Sequence, residues 1–113
     1  MEIYFRNLGL ERSCRSREGR VRRWGPNGAL VARRLAELAA LDNLADAQWI
    51  PGVRITEIDR ETFEYRCEHG VRLVLTKIDS YAISSNGRVR VQRVVLENVA
   101  VNDVATDTEG ESI

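Results

Sequence analysis

The sequence contains few of the residues that usually carry catalytic or metal chemistry. Its 113 residues include one histidine, one lysine and two cysteines. Cys14 and Cys67 lie far apart and form no C-x-x-C motif, and with a single histidine they are too few for a Cys/His zinc site. We therefore expect two reduced thiols, no metal and no cofactor, as in a protein of the cytosol.

Long apolar segments are also missing. No apolar run approaches the roughly 20 residues that a membrane span needs, and residues 1–6 lack the basic, apolar and small order of a signal peptide. We therefore expect a cytoplasmic protein without membrane contact. With 43% hydrophobic and 30% charged residues, the composition is typical of a globular domain. One domain over residues 1–101 is expected, followed by an acidic, flexible tail over 102–113.

The net charge of zero conceals an asymmetry between the two parts of the chain. Residues 1–34 hold nine arginines against three glutamates, a net charge of +6, and residues 35–113 carry the opposite −6. Sixteen of the 17 basic residues are arginine, whose planar fork suits phosphate and carboxylate. A genome rich in G and C would produce the same bias, so the excess by itself does not indicate nucleic-acid binding.

The hydrophobic pattern predicts an α+β domain. A short strand over 2–6 precedes two helices. The first has an apolar stripe of Leu10, Cys14, Val21 and Trp24 that Gly19 interrupts, which favours a bent or split helix, and the second runs over 29–41 and is capped by Asn27. Strands are predicted near 53–58, 63–68, 71–76 and 88–101, with turns at His69-Gly70 and Asn86-Gly87 and a bulge near residues 93–95. The strand and two helices should therefore pack on one face of a mostly antiparallel sheet of about four to five strands.

No catalytic set can be assembled from these elements. The chain has no glycine-rich phosphate loop. Its only histidine, His69, lies in a predicted turn, and we interpret it as a turn residue and not as a catalytic base. What remains is a set of arginines on the predicted strands and their connections: Arg54, Arg60, Arg66, Arg72, Arg90 and Arg93. On one sheet face they would bind a phosphodiester backbone. Paired across strands with Glu57, Glu64 and Glu68 they would be structural, and the residues alone favour this second interpretation.

The order and spacing of several motifs resemble the HigB-like "killer protein" branch of the RelE/ParE toxin superfamily. No single motif is diagnostic, but together they cover about residues 1–101. The segments that carry the resemblance are Met1-Glu2-Ile3 with Phe5, Leu10 and Cys14; Trp24-Gly25 before Arg34-Leu35-Ala36-Glu37-Leu38; Asn43-Leu44-Ala45-Asp46 before Pro51-Gly52-Val53-Arg54; Phe63; Val71-Arg72-Leu73-Val74-Leu75; and Val91 to Val99.

The resemblance implies the toxin of a type II toxin–antitoxin system that inhibits translation by ribosome-dependent, metal-independent mRNA cleavage. Its partners would be the ribosome, mRNA and a helix-turn-helix antitoxin, with operator DNA reached only through the antitoxin. Arg72 matches the family's strand arginine and is the expected catalytic residue. Arg54, Arg60 and Arg66 are expected to contact RNA phosphates.

One departure from the family weakens the nuclease expectation. The branch commonly ends its last strand with Asp-Tyr-His, whereas this chain has Glu97-Asn98-Val99 followed by Ala100. Arginine is a poor general base because its pKa exceeds 12. The alternative is therefore a non-catalytic binding protein on the same scaffold, which either inhibits a protein target, as gyrase-directed relatives do, or only binds its antitoxin.

Overall fold

The computed structural model describes residues 1–79, 82–83 and 89–101 and has a mixed α+β architecture. The Asn86-Gly87 turn and the acidic tail predicted above lie outside the described residues. Three α-helices occupy the N-terminal part: α1 (Leu8–Arg15), α2 (Arg17–Trp24) and α3 (Gly28–Ala40). The strands are β1 (Glu2–Phe5), β2 (Arg54–Glu57), β3 (Thr62–Arg66), β4 (Val71–Asp79), β5 (Ala82–Ile83), β6 (Val89–Arg90) and β7 (Arg93–Val101).

Five strands form the main sheet in the order β1-β7-β4-β3-β2. The pairs from β2 to β7 are antiparallel, and only β1 runs parallel to its neighbour β7. β5 and β6 form a separate two-stranded sheet. The predicted mostly antiparallel sheet of about five strands is thus confirmed, with β1 and β2 at its two edges. The prediction that the N-terminal strand packs on the face of the sheet with the helices is wrong, because β1 completes the hydrogen bonding of the β7 edge as a parallel strand. Two register shifts interrupt the pairing of β4 with β7. Glu97 is an extra residue of β7, and Ile78 is an extra residue of β4 opposite Arg93 and Val94, so the second irregularity lies at the predicted place but on the partner strand.

The helical region divides differently from the prediction. Ser16 separates α1 from α2 and accepts a hydrogen bond from the Gly19 N–H at 2.9 Å, so it caps α2. Because α2 begins as a separate helix, the apolar stripe of α1 does not continue along it. Val21 is therefore exposed, although the stripe predicted for one helix included it. Asn27 makes no side-chain cap at the start of α3. In the described part of the chain, no helix is both long and apolar enough to cross a membrane.

The core lies between the helices and one face of the sheet. Leu38 of α3 and Leu73 of β4 are fully buried, as predicted, whereas Leu35 and Phe63 are half-buried and pack against the core. The other buried apolar residues of this core include Leu10, Cys14, Trp24, Val31, Tyr65, Leu75, Val94 and Leu96. Side chains on the opposite face of the sheet stay exposed or half-exposed.

Candidate nucleic-acid interface

Three of the predicted site arginines form a single row across the open face of the sheet. In the strand registers Arg54 of β2 lies opposite Arg66 of β3, and Arg66 lies opposite Arg72 of β4. Opposed residues on antiparallel strands have Cα atoms about 4.5–5.5 Å apart. The Cα atoms of the three arginines therefore span about 10 Å, the width of two strand spacings.

The alternation of each strand fixes which face the arginines occupy. Tyr65 and Leu73, the neighbours of Arg66 and Arg72 on their strands, are fully buried in the core. Because successive strand side chains point to opposite faces, the arginines point away from the helices. The turn at Glu68–Gly70 sets this register: His69 and Gly70 have φ of 58° and 72°, as a tight hairpin requires.

Glu64 lies between two of the arginines and neutralises part of the row. Its carboxylate accepts from Arg66 Nε and from Arg72 Nη1, the latter at 3.1 Å. Burial opposes ionisation of Glu64, whose side chain is 12% exposed, but the hydrogen bonds and charges of Arg66 and Arg72 outweigh it and lower the pKa of this carboxyl. The pairing of strand arginines with Glu64, one of the two interpretations, is thus present in the structure.

Part of the row's positive charge and some of its N–H donors remain available to bind an anion. Three arginines against one carboxylate leave a local charge of +2. Among the described residues, no hydrogen bond or ion pair involves the exposed Arg54 side chain, and Arg72 Nε is buried without a partner. A shallow depression lined by Gly52, Val53, Arg54, Arg66 and Cys67 opens beside the row.

Arg60, the fourth predicted site residue, does not join this row. It lies in the turn between β2 and β3, at the end of the hairpin opposite to Arg54 and Arg66. The length of β3 alone separates it from the row by about 13 Å along the sheet. Arg60 is therefore an exposed arginine of the same hairpin that lacks the neighbours of the other three.

A buried ion cluster beside the row was not predicted from the sequence. Arg34 of α3 is 3% exposed; its Nη2 contacts both carboxylate oxygens of Glu68 at 2.6 Å, and its Nη1 contacts Glu37 at 2.6 Å. The Arg34 hydrogen bonds lower the pKa of Glu68 to about 2. Gly52 has a φ of 83°, a backbone conformation that favours glycine, and a Cβ there would also lie 2.9 Å from the Glu68 carboxylate. Through Arg34 the cluster connects α3 to Pro51, in the loop before β2, and to Glu68, in the turn between β3 and β4.

The arrangement is suited to binding phosphate more than to moving protons. Guanidinium forks on an open surface match phosphate oxygens, whereas the ion-paired Glu64 is a weak proton acceptor because its pKa is lowered. Cys67, at the edge of the row, has its thiol pKa raised to about 11 by burial and is a weak nucleophile at neutral pH. No group of three or more His, Cys, Asp or Glu side chains in the described ranges is placed to hold a metal ion.

Comparisons with protein-family models, with curated proteins and with solved structures return no match for this chain.

Proposed function

We propose that this chain is the toxin of a toxin–antitoxin pair and that it inhibits translation by acting on mRNA at the ribosome. The observation that carries the proposal is the row of Arg54, Arg66 and Arg72 on the sheet face that faces away from the helices. A phosphodiester strand laid across this row would meet one guanidinium group on each of three neighbouring strands. The motif order shared with HigB-like toxins supports the same function.

Within this proposal each of the three arginines binds a different phosphate of the RNA. Arg72, on the central strand β4, holds the scissile phosphate and stabilises the charge that develops on it, while Arg66 and Arg54 bind flanking phosphates. Glu64 is the titratable group nearest to Arg72, and its lowered pKa makes it a slow general base. We therefore expect slow mRNA cleavage in which charge stabilisation supplies most of the rate.

A second candidate function follows from the position of Glu64. Because this carboxylate already pairs with Arg66 and Arg72, the arginines also suit a structural role beneath a surface that binds another protein without chemistry. A non-catalytic toxin of this kind would arrest growth and leave mRNA intact. The two functions therefore differ in a single observable, the fate of the mRNA.

The deciding experiment compares Arg72→Ala with Arg60→Ala in bacteria that express the chain from an inducible promoter. Arg60 is the matched control because it has the same chemistry and lies on the adjacent hairpin but outside the row. We expect growth arrest and codon-positioned mRNA ends for the parent chain and for Arg60→Ala, and loss of both for Arg72→Ala. Intact mRNA with arrest selects the non-catalytic function, and full toxicity of a folded Arg72→Ala chain contradicts the role of Arg72.

The thermal midpoint of each variant must accompany the growth assay. Arg72 is half-buried and paired with Glu64, so its removal costs more than that of a fully exposed charge, about 1–2 kcal/mol. Arg72→Lys keeps the positive charge and separates loss of function from loss of fold. Co-purification with a small helix-turn-helix protein encoded beside this chain would test the expected partner.

A further inference from the structure

The strongest feature left unexplained is an exposed tryptophan at the edge of the sheet. Trp49 is 76% exposed, the highest value among the large apolar side chains of the described residues, whereas Trp24 lies in the core. Tryptophan is normally well buried, and an indole left in water loses the apolar contact that it would gain elsewhere. Its position therefore needs a reason outside the stability of the chain.

The backbone that carries Trp49 is held firmly on both sides. Leu44 and Ala47, within the same short 3-10 helix (Leu44–Trp49), are buried in the core. The Leu44 N–H donates to the Val91 carbonyl at 3.0 Å, and the Ile50 N–H donates to the Ala47 carbonyl at 3.1 Å. The backbone beneath the indole is therefore already ordered. A flat ligand that stacks on Trp49 loses little binding free energy to the ordering of this segment.

A short turn joins Trp49 to Arg54, the first arginine of the row. The Val53 N–H donates to the Ile50 carbonyl at 3.2 Å and closes a four-residue turn. With about 7 Å across such a turn and 3.8 Å for each flanking residue, the Cα atoms of Trp49 and Arg54 are at most about 15 Å apart. Both side chains are exposed, and the distance between their Cα atoms is short enough for an RNA strand of a few nucleotides to span.

We propose that Trp49 stacks on an unpaired base of an RNA whose phosphates lie along Arg54, Arg66 and Arg72. This inference rests on the proposed function and narrows its substrate to single-stranded RNA. An aromatic face combined with a basic track is the arrangement by which proteins hold single strands, because every base offers a π-face. In a duplex the bases already stack on one another, and a side chain at a sheet edge cannot reach their faces.

The experiment measures binding of the full-length chain to an unstructured RNA oligonucleotide at several salt concentrations, for the parent, Trp49→Ala and Trp49→Phe. Stacking on one base makes Trp49→Ala about five- to 150-fold weaker, while Trp49→Phe keeps most of the affinity. The slope of log affinity against log salt stays unchanged in Trp49→Ala, because no phosphate contact is lost. In Arg66→Ala that slope decreases by about 0.7.

Three controls make the outcome decisive. An abasic strand of the same length should bind the parent and Trp49→Ala equally, since it offers phosphates without bases. The affinity for an RNA duplex should also be the same for the parent and Trp49→Ala, because the bases of a duplex are already stacked on one another. Ile58→Ala removes another exposed apolar side chain, at the far end of β2, and should leave binding unchanged.

The failure of this inference is distinguishable from the failure of the proposed function. If Arg66→Ala weakens RNA binding and Trp49→Ala does not, the base-stacking role is wrong and the proposed function stands. If the parent chain binds no free RNA, the base-stacking role is wrong, while the proposed function is decided by the growth and mRNA assay described above. If Trp49→Ala leaves RNA binding intact but abolishes binding to a partner protein, Trp49 is a protein-docking anchor and the inference is overturned.

Discussion

The Arg34 cluster gives the sharpest test of how this fold is held together. Arg34→Ala removes the guanidinium group that joins α3 to Glu68 on the hairpin and to Glu37 on its own helix. It also leaves a space where a nearly fully buried side chain had been. Glu68 and Glu37 are 39% and 34% exposed, so the removal of Arg34 leaves no fully buried charge behind. The loss of hydrogen bonds between charged partners costs about 1.5–3 kcal/mol. For a domain of this size such a loss lowers the thermal midpoint by roughly 6–12 °C.

Arg33 is the matched control, because it is the neighbouring residue of the same type. Its side chain is exposed and reaches Glu68 only at 3.6 Å. Exposed pairs contribute little, so Arg33→Ala should cost less than about 0.5–1 kcal/mol. Urea unfolding followed by circular dichroism at pH 7 gives both values under two-state conditions. Equal losses for Arg33→Ala and Arg34→Ala would refute the view that the buried pair holds α3 to the hairpin.

The pH dependence of stability tests the same cluster independently. The pKa of Glu68 falls from its ordinary 4.5 to about 2 in the folded chain because Arg34 hydrogen-bonds its carboxylate. A lowered folded pKa stabilises the fold above the ordinary value, and that stabilisation is lost as the pH falls through the window between 4.5 and 2. In Arg34→Ala this part of the acid sensitivity should disappear, so an unchanged acid profile would contradict the assignment.

Three further predictions concern the core, the thiols and the basic N-terminal region. Leu38→Ala should cost about 2–5 kcal/mol in urea unfolding because Leu38 is fully buried, and Leu35→Ala should cost less because Leu35 is only partly buried; equal losses would contradict this packing. Burial raises the thiol pKa of both Cys14 and Cys67 to about 11, so iodoacetamide should modify them slowly at pH 7.5 and faster as the pH rises; Cys67, which is more exposed, should react first. The +6 charge of residues 1–34 should make association with an acidic partner protein slow down steeply with salt, and a salt-independent association rate in stopped-flow measurements would count against that surface.

The local pattern of the sequence was enough to predict one part of the candidate site. The hairpin at His69-Gly70 has a short turn, and strand alternation follows from it, so the positions of Arg66 and Arg72 as neighbours on the open face follow from the sequence alone. The helix over 28–40 was equally visible in its apolar spacing. In both cases the deciding interactions join residues close in sequence.

The sequence already distinguished Arg54 from Arg60, because the predicted strands over 53–58 and 63–68 leave Arg60 in the turn between them. Only the tertiary structure decided the register that places Arg54, the first residue of β2, opposite Arg66. A shift of register by one residue would also have moved Arg54 to the core face. The observed register follows from the partial burial of Ile55 beside Tyr65, which depends on the helices packed above them.

The burial of Arg34 in α3 was likewise not predictable from the sequence. Arg34 lies on the stripe of α3 that contains Val31 and Leu38, and apolar periodicity favours Leu35 for the core instead. A charged side chain is buried only where a partner neutralises it. That partner, Glu68, is 34 residues away along the chain, and helical periodicity carries no information about contacts at that separation. The fold alone brings the two charges together, because it places α3 beside the turn between β3 and β4.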